Sequence, residues 1–430
     1  METKTPPGEN LSRVMRFIAD FHIHSKYSRA TSKDMEVETL ARWAKKKGIS
    51  LLGTGDFTHP TYFAELRSKL VPTGNGLFEL KNGEKEVRFI LTTELCNIYT
   101  QDGKVRRIHN LIFIPSLEVA DKLRSKLGNL GKLSSDGRPI FKFTARELVK
   151  MIMDISDDCL VIPAHAWTPW FSIFGANSGF DSIEECFGEL SPYIHAIETG
   201  LSSDPEMNWR LSRLDSITLL SNSDAHSPNR LGREANAFDC ALDYWEIVEA
   251  IRKKDRKKVL YTVEFFPEEG KYHYNGHRNC GVIFSPHETK NHHYLCPKCQ
   301  KKLTVGVMHR VEELADRPEG FMPRNAIPSI HTLPLEEIIA EAVGTRVGTK
   351  GVETEYDRLV EKGGSEFRVL LEATPDELTS YTSPRILEGI IRNRQGKVLI
   401  VPGHDGVYGK ITLFPETQET EPSKEQLKLF

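Results

Sequence analysis

An α/β fold that gathers metal-binding side chains at one end of its strands is what this sequence predicts, and two observations carry the prediction. From residue 17 to about 260, short apolar runs alternate with amphipathic stretches of helical period. That alternation is the signature of an α/β protein with a mostly parallel sheet. Histidines or carboxylates also stand at the end of nearly every run: His22 and His24, Asp56 with His59, Glu94, His109, His165, then Asp224 and His226. In parallel α/β barrels the working groups collect at the C-terminal strand ends. The regularity therefore favours a closed barrel over an open sheet, and one shared site over scattered surface histidines.

The seven apolar runs cover residues 17–24, 50–56, 88–94, 108–115, 159–165, 194–199 and 217–224. Helical periods fill 35–47, 117–127, 144–154, 206–214 and 241–254. A chain of 430 residues exceeds a single core; a barrel of roughly 250 residues with additions accounts for its length. The expected barrel unit is 1–266. From 267 to 318 the composition turns to His, Cys, Asn and Lys, too polar to bury a core alone. Residues 319–415 return to helical patterns at 335–343, 353–362, 375–379 and 384–393, with a short strand at 397–402. The polar, acidic stretch 416–430 is expected to be disordered.

Composition narrows the class. Hydrophobic residues make up 39% and charged residues 27%, and no apolar run nears the ~20 residues that span a bilayer. The first ten residues lack the apolar core of a secretory signal. Seven cysteines are no disulfide framework: Cys96, Cys159, Cys186 and Cys240 sit in apolar segments as expected buried thiols. A reducing cytoplasm, with no membrane partner, is the expected setting. The net charge of −3 supplies no global field towards nucleic acid, so DNA binding would need a local patch.

In Asp20-Phe-His22-Ile-His24, alternation along a strand places the carboxylate and both imidazoles on one face. Asp224-Ala-His226 repeats a carboxylate–imidazole pair two residues apart. Mixed imidazole and carboxylate donors suit Zn²⁺, Mn²⁺ or Fe²⁺ better than Mg²⁺. Metals about 3.5–4 Å apart lower a water's pKa towards about 7 and clamp phosphoryl oxygens during in-line attack.

These motifs resemble the PHP (polymerase and histidinol phosphatase) superfamily. The resemblance implies a distorted (β/α)7 barrel with two to three divalent metals (Zn, Mn, Fe or Mg) at its mouth. It implies His22, His24, Asp56, His59, Glu94, His109, His165, Asp224 and His226 as ligands, Glu94 as the bridging carboxylate, and Glu94, Asp224 and His226 as the catalytic set. Two departures stand out. Thr54-Gly-Asp56-Phe-Thr-His59 replaces Thr-Asp-His, leaving open whether Asp56 or His59 ligates. Ser25, Tyr27, Ser28 and Arg29 occupy positions where a further His or Asp is often found, so two complete metal positions and an incomplete third are expected.

His277-x-x-Cys280 and Cys296-x-x-Cys299 form two knuckles separated by 15 residues. Such a pair supplies four soft ligands for one structural zinc, with His273, His287, His292 and His293 as alternatives to His277. Together with Lys271–Cys280, Cys296-Pro-Lys-Cys299 and 307–317, the module resembles the endonuclease Q family, in which a PHP barrel precedes a zinc module and a helical C-terminal region. The resemblance spans nearly the whole chain. It implies a DNA repair nuclease that cuts 5′ to a deaminated base (hypoxanthine, uracil or xanthine) or an abasic site.

An enzyme that reads a damaged base must take it out of the stack and sandwich it between flat side chains. Trp167, Trp170, Phe171 and Asn177, following His165, are the candidate lining of such a pocket; a lid that merely shields the metals is the alternative. Basic clusters at 252–258 and at Lys298, Lys301 and Lys302 are candidate phosphate contacts, although a run like the first is more often a solvated helix end. Gln426-Leu-Lys-Leu429-Phe430 resembles a sliding-clamp-binding peptide (PCNA as partner), cut short at its first aromatic. Two other readings use the same residues: a small-molecule PHP phosphatase of the histidinol-phosphate type, and a non-catalytic, zinc-dependent DNA-binding adaptor.

Overall fold

The computed structural model describes residues 15–414; the clamp-type residues Gln426, Leu429 and Phe430 lie outside them. All seven predicted runs are strands or strand ends: β1 (Met15–Asp20), β2 (Ile49–Gly53), β3 (Arg88–Gln101), β4 (Lys104–Ile114), β5 (Leu160–Pro163), β6 (Ala196–Glu198) and β7 (Thr218–Leu220). Three further strands of the main sheet follow, β8 (Ala235–Cys240), β9 (Val259–Glu264) and β10 (Ser329–His331).

The expected mostly parallel sheet is instead mixed. β1–β2, β2–β3, β6–β7 and β9–β10 pair in parallel, but β3–β4, β4–β5, β1–β8 and β8–β9 are antiparallel. The cause is local. Asp102 (φ 52°) and Gly103 (φ 73°) make a two-residue turn between β3 and β4, and this geometry suits the twist of a tight hairpin. With no helix to carry the chain across, β4 must run back along β3. The small residues of Ala235-Asn-Ala237 give β8 little strand propensity of its own, so this strand was not legible.

Beyond the ladders, Ala166 N–H donates to the Glu198 carbonyl at 2.9 Å, and His24 N–H donates to Ala225 O at 3.0 Å. An isolated parallel bridge joins Ile23 to Ala225. β5 is thereby tied to β6, and the end of β1 to the segment after β7.

Helices cover this sheet as the patterns predicted. Val37–Lys47 buries Leu40, Ala41 and Ala44 and stops at Gly48, whose φ of 89° forms a left-handed cap. Leu117–Gly128, Ala145–Met153 and Tyr244–Arg252 match the expected spans, while 206–214 breaks into the short helix Pro205–Asn208 and a 3₁₀ turn. Pro60–Lys69 was not expected; Pro60 at its first position and His59 as its cap were the available signals.

The C-terminal helices Leu335–Ala342, Lys350–Gly363, Pro375–Thr379 and Pro384–Arg394 enclose a core of their own with the hairpin Leu399–Val401/Lys410–Thr412. The divisions expected at 266 and 318 do not coincide with breaks in packing. Helix Val307–Leu314 sets Val307 and Val311 into the principal core, and β10 extends the main sheet. The C-terminal region is fastened to the sheet's own helix by Lys47 Nζ and Glu366 Oε2, 2.6 Å apart with both side chains buried. Glu366 also accepts from Tyr356 OH (2.7 Å) and Leu335 N–H (3.1 Å). Among the described residues no helix is long and apolar enough to cross a membrane.

Candidate metal centre

Two triads of donor atoms form one centre, and a glutamate stands between them. His22, His24 and Asp224 offer atoms within 4.8 Å of one another, as do Glu94, His109 and His165. His22 and His24 lie just past β1. Asp224 follows β7 and His165 follows β5, whereas Glu94 and His109 sit within the long β3–β4 hairpin rather than at strand ends. There Cys96 opposes His109 and Glu94 opposes Leu111, so alternation puts Glu94 and His109 on one face.

Glu94 reaches both groups. Its Oε1 lies 2.6 Å from His109 Nδ1 and 3.0 Å from His165 Nε2; its Oε2 lies 3.3 Å from His24 Nε2 and 3.6 Å from His22 Nε2. Asp224 Oδ1 completes the first triad at 3.1 Å from His24 Nε2 and 3.7 Å from His22 Nε2. His22 Nε2, His24 Nε2 and Asp224 Oδ1 are buried without any hydrogen-bond partner. Buried polar atoms are ordinarily satisfied. Three orphans converging with imidazole and carboxylate chemistry fit a divalent cation.

Electrostatics agree. The charges of Glu198 and Asp56 drive His22 and His24 well above the ordinary imidazole value, overcoming a burial that opposes it. Burial alone would raise Glu94, yet His109 and Arg138 hold it well below the usual carboxylate range. Asp224 is likewise held low by His22 and His24 against the effect of burial. For His109 burial wins and brings the ring down to about 4. The pocket carries surplus negative charge that any cation would relieve.

Two expected ligands stand elsewhere. Asp56 lies behind His24: its Oδ1 is 3.1 Å from His24 Nδ1, and its Oδ2 accepts from Ser25 N–H, Ser25 Oγ and Ser28 Oγ. It orients the imidazole instead of joining the donor cluster, as outer carboxylates commonly do. Ser25 and Ser28 therefore anchor Asp56. His59 stacks on Tyr27 at 4.4 Å and caps the next helix, accepting from Tyr62 N–H. Asp20 accepts from Ser223 and Gly232 N–H, fastening the Asp224 segment to β1. His226 packs its half-buried ring 4.5 Å from that of His24, at the edge of the triad.

Two residues that sequence reasoning missed are as central as those it named. Glu198 takes His22 Nδ1 at 2.9 Å, accepts from Asn222 Nδ2 at 2.7 Å, and accepts from His165 N–H at 3.0 Å. Its place at the end of β6 obeys the same strand-end rule and was legible. Arg138 sets Nη1 2.9 Å from Glu94 Oε2; it lies on an irregular segment with no pattern to reveal it. Glu198→Gln should weaken cation binding 10–100-fold, as loss of an outer carboxylate does elsewhere, and isothermal titration with Mn²⁺ would measure it.

Asp56 (φ 44°), His165 (φ 31°) and Asp224 (φ 47°) all hold left-handed backbone. Non-glycine residues rarely do so, and the cost of order 1–3 kcal/mol each tends to be concentrated at functional sites.

The second predicted cluster also assembles. His277, Cys280, Cys296 and Cys299 bring their donor atoms within 4.8 Å of one another, with His277 Nδ1 3.5 Å from Cys299 Sγ. Although burial raises the Cys296 thiol, the backbone N–H groups of Cys299 and Lys298 bring it down to about 7, towards thiolate. Of the competing histidines, His273 is buried away from the knuckles and His292 stacks on Phe284. Cys299→Ser should lower the protein's zinc content and loosen residues 275–304, seen as faster amide exchange there.

The aromatic loop divides. Trp167 is core, 1% exposed, its Nε1–H donated to Asn208. Phe171 lies 4.8 Å from the His109 ring. Trp170 is 49% exposed with the Arg107 guanidinium 5.0 Å over its ring. A cavity of about 540 Å³ opens where Trp167, Trp170 and Asn177 face Tyr272, Val305 and Arg310. The basic run at 252–258 is not a free surface. Arg252 donates to Asp157 and Cys159 carbonyls, Lys254 to Asp215 O, and Arg256 to Arg324 O. Lys253 and Lys258 pair with Glu249 and Glu246.

An α/β fold that holds imidazoles and carboxylates around a shared glutamate defines a protein with a candidate histidine–carboxylate centre for divalent metal. Solved structures make the class specific. The lesion-specific endonuclease PfuEndoQ from Pyrococcus furiosus superposes with a TM-score of 0.83 at 34% identity, over 93% of this chain and 95% of that one. An endonuclease Q in complex with a 27-mer duplex substrate, carrying an abasic lesion at the active site, gives 0.81 at 35% identity, over 94% and 98%. The chain belongs to the endonuclease Q family. YqxK of Bacillus subtilis, described as uncharacterized, is 31% identical across 93% of this chain and 100% of its own length. MJ0043 of Methanocaldococcus jannaschii, also described as uncharacterized, is 34% identical over 279 residues; this is 62% of the present chain and 34% of that protein, so the match spans about a third of the relative. A family model described as the MJ0043 C-terminal domain matches residues 334–397.

Proposed function

We propose that this chain is a DNA repair endonuclease that hydrolyses the phosphodiester 5′ to a deaminated base (hypoxanthine, uracil or xanthine) or an abasic site. The observation that carries it is the Glu94-bridged pair of triads, set in a chain alike over 94% of its length to an endonuclease Q solved with an abasic lesion at its active site. The seven strands β1–β7 are read as a distorted PHP barrel. The Ala166–Glu198 and Ile23–Ala225 contacts that tie its ends support this.

His22, His24, Glu94, His109, His165 and Asp224 would hold two divalent metals of the zinc, manganese or iron type, and the four residues of the knuckles one structural zinc. Bound there, such metals supply Lewis acidity, lowering a water's pKa and offsetting charge on the phosphoryl oxygens. The protein's own groups do the rest. Glu94 holds the two halves of the centre in register, and Glu198 and Asp56 fix the tautomers of His22 and His24. Arg138, partly exposed beside Glu94, offers a guanidinium to the scissile phosphate. His226, at the open edge, is placed to pass a proton to the leaving oxygen. Trp170, with Tyr272 across the cavity, offers a flat surface to an extruded nucleotide.

The test is incubation of deoxyinosine, deoxyuridine, abasic and undamaged duplexes with the wild-type protein, before and after chelation. Nicks 5′ to the lesions that vanish with chelator and return with Mn²⁺ support the proposal; turnover of small phosphate esters alone would overturn it. Trp170→Ala should weaken lesion binding by about 1–3 kcal/mol, the usual worth of stacking on one base. Competition between inosine-containing and undamaged duplex reads this out.

A further inference from the structure

Away from both assigned clusters, a third group of metal-ligand types meets where β6, β9 and β10 lead into the segments flanking the zinc module. Asp204, Glu206 and His331 place their donor atoms within 4.8 Å of one another. His331 Nε2 lies 3.3 Å from Asp204 Oδ2, and Glu206 Oε1 accepts from Ser329 Oγ at 2.8 Å. Three carboxylate and imidazole groups on their own are an ordinary ion-pair cluster. Two neighbours make this one different.

Glu264 is the strand partner of His331 in the parallel β9–β10 pair, so the two side chains share a face. Its Oε2 accepts from Thr199 Oγ1 at 3.0 Å, but its Oε1 is fully buried with no partner. His273, 4% exposed, likewise leaves Nδ1 unpartnered. Asp204 is the charged group that acts on His273, and Asp204 and His331 both act on Glu264. Burial lifts the Glu264 carboxyl to about 7 and lowers His273 to about 4. Each charge state is therefore costly without a compensating partner. Glu234, beyond Glu264, is another buried carboxylate without a partner.

We propose that Asp204, Glu206 and His331, backed by Glu264 and His273, bind a divalent cation of the Zn²⁺ or Mn²⁺ type, separate from the Glu94 centre and from the cysteine knuckles. Oxygen and imidazole donors without thiolate suit such ions. The site shares no residue with either triad. It ties the chain entering the zinc module (His273) to the chain leaving it (His331) and to the main sheet (Asp204, Glu264). Its expected role is to fix those segments relative to one another.

Metal analysis on the full-length chain tests this. Protein stripped with chelator and saturated with Mn²⁺ or Zn²⁺ should bind about one equivalent more than Glu206→Gln or His331→Gln treated identically, with the variants still nicking abasic duplex at near wild-type rates. Equal stoichiometry and equal titration curves in wild type and both variants would overturn the proposal, leaving acids that share protons. Should either variant fail to fold, wild-type crystals soaked in Mn²⁺ decide. An anomalous peak between Asp204 and His331 supports the site; its absence, with peaks present at the Glu94 centre, sinks it.

Discussion

Glu94→Gln should lower nicking of an abasic duplex by about 10³-fold. Removing a charge that serves both triads forfeits roughly 4 kcal/mol of transition-state stabilisation, within the several kcal/mol that a metal centre supplies. The substitution keeps the side chain's volume but halves its acceptor capacity. One amide oxygen must replace two carboxylate oxygens now shared among His109, His165, His24 and Arg138. Metal content should fall at both triads together. Asp224→Asn touches His22, His24 and His226 but neither His109 nor His165, so it should empty one position and leave the other. Single-turnover nicking alongside metal analysis separates the cases, and activity of Glu94→Gln within tenfold of wild type would remove Glu94 from the centre.

The second large effect concerns folding and not chemistry. Glu366→Ala should destabilise the C-terminal helical region by about 3–5 kcal/mol, the usual result of leaving a buried charge without its partner. Lys47 would keep its buried ammonium without its direct ion-pair partner, and Tyr356 OH and Leu335 N–H would lose their acceptor. The midpoint of denaturant unfolding should drop while nicking below the transition persists. Changing both partners, as Lys47→Met with Glu366→Leu, should recover only the part of the loss that comes from the stranded ammonium, because Tyr356 OH and Leu335 N–H still lack an acceptor.

How far the sequence led depends on whether a signal was local. The seven strands and most helices were legible, since each depends on a periodicity confined to a dozen residues. Parallel or antiparallel pairing was not, because it depends on whether the chain crosses over or turns back. At Asp102-Gly103 two residues decided that. His22, His24, Glu94, His109, His165 and Asp224 do come together, His22, His24, His165 and Asp224 because they follow converging strands and Glu94 and His109 because they face each other across a hairpin. Asp56 and His59 show where motif reading stops. Both carry ligand chemistry, but one sits behind His24 and the other caps a helix, distinctions of a few ångströms that no spacing encodes. Trp167 is a further case: its ring is nearly all buried, yet it borders the cavity that Trp170 and Asn177 line. Arg138 could not have been found, because it reaches Glu94 from a segment with neither period nor motif.

Left-handed backbone falls on His165 and Asp224 themselves and on Asp56 behind His24, whereas around the knuckles it falls on His293, Tyr294 and Gln300, beside the candidate ligands and not on them. A residue held in that conformation is kept there by the packing around it, so folding of the sheet alone delivers these side chains to their stations. Ions held at the Glu94 centre would then be able to exchange without the architecture collapsing. The cysteine knuckles have no such scaffold: their own core amounts to Val282, Cys296 and Leu303 with partly buried neighbours. A structural zinc there would itself be the keystone, the segment taking its shape as the ion is captured. One chain would then combine a socket made by the fold with a fold made by its socket.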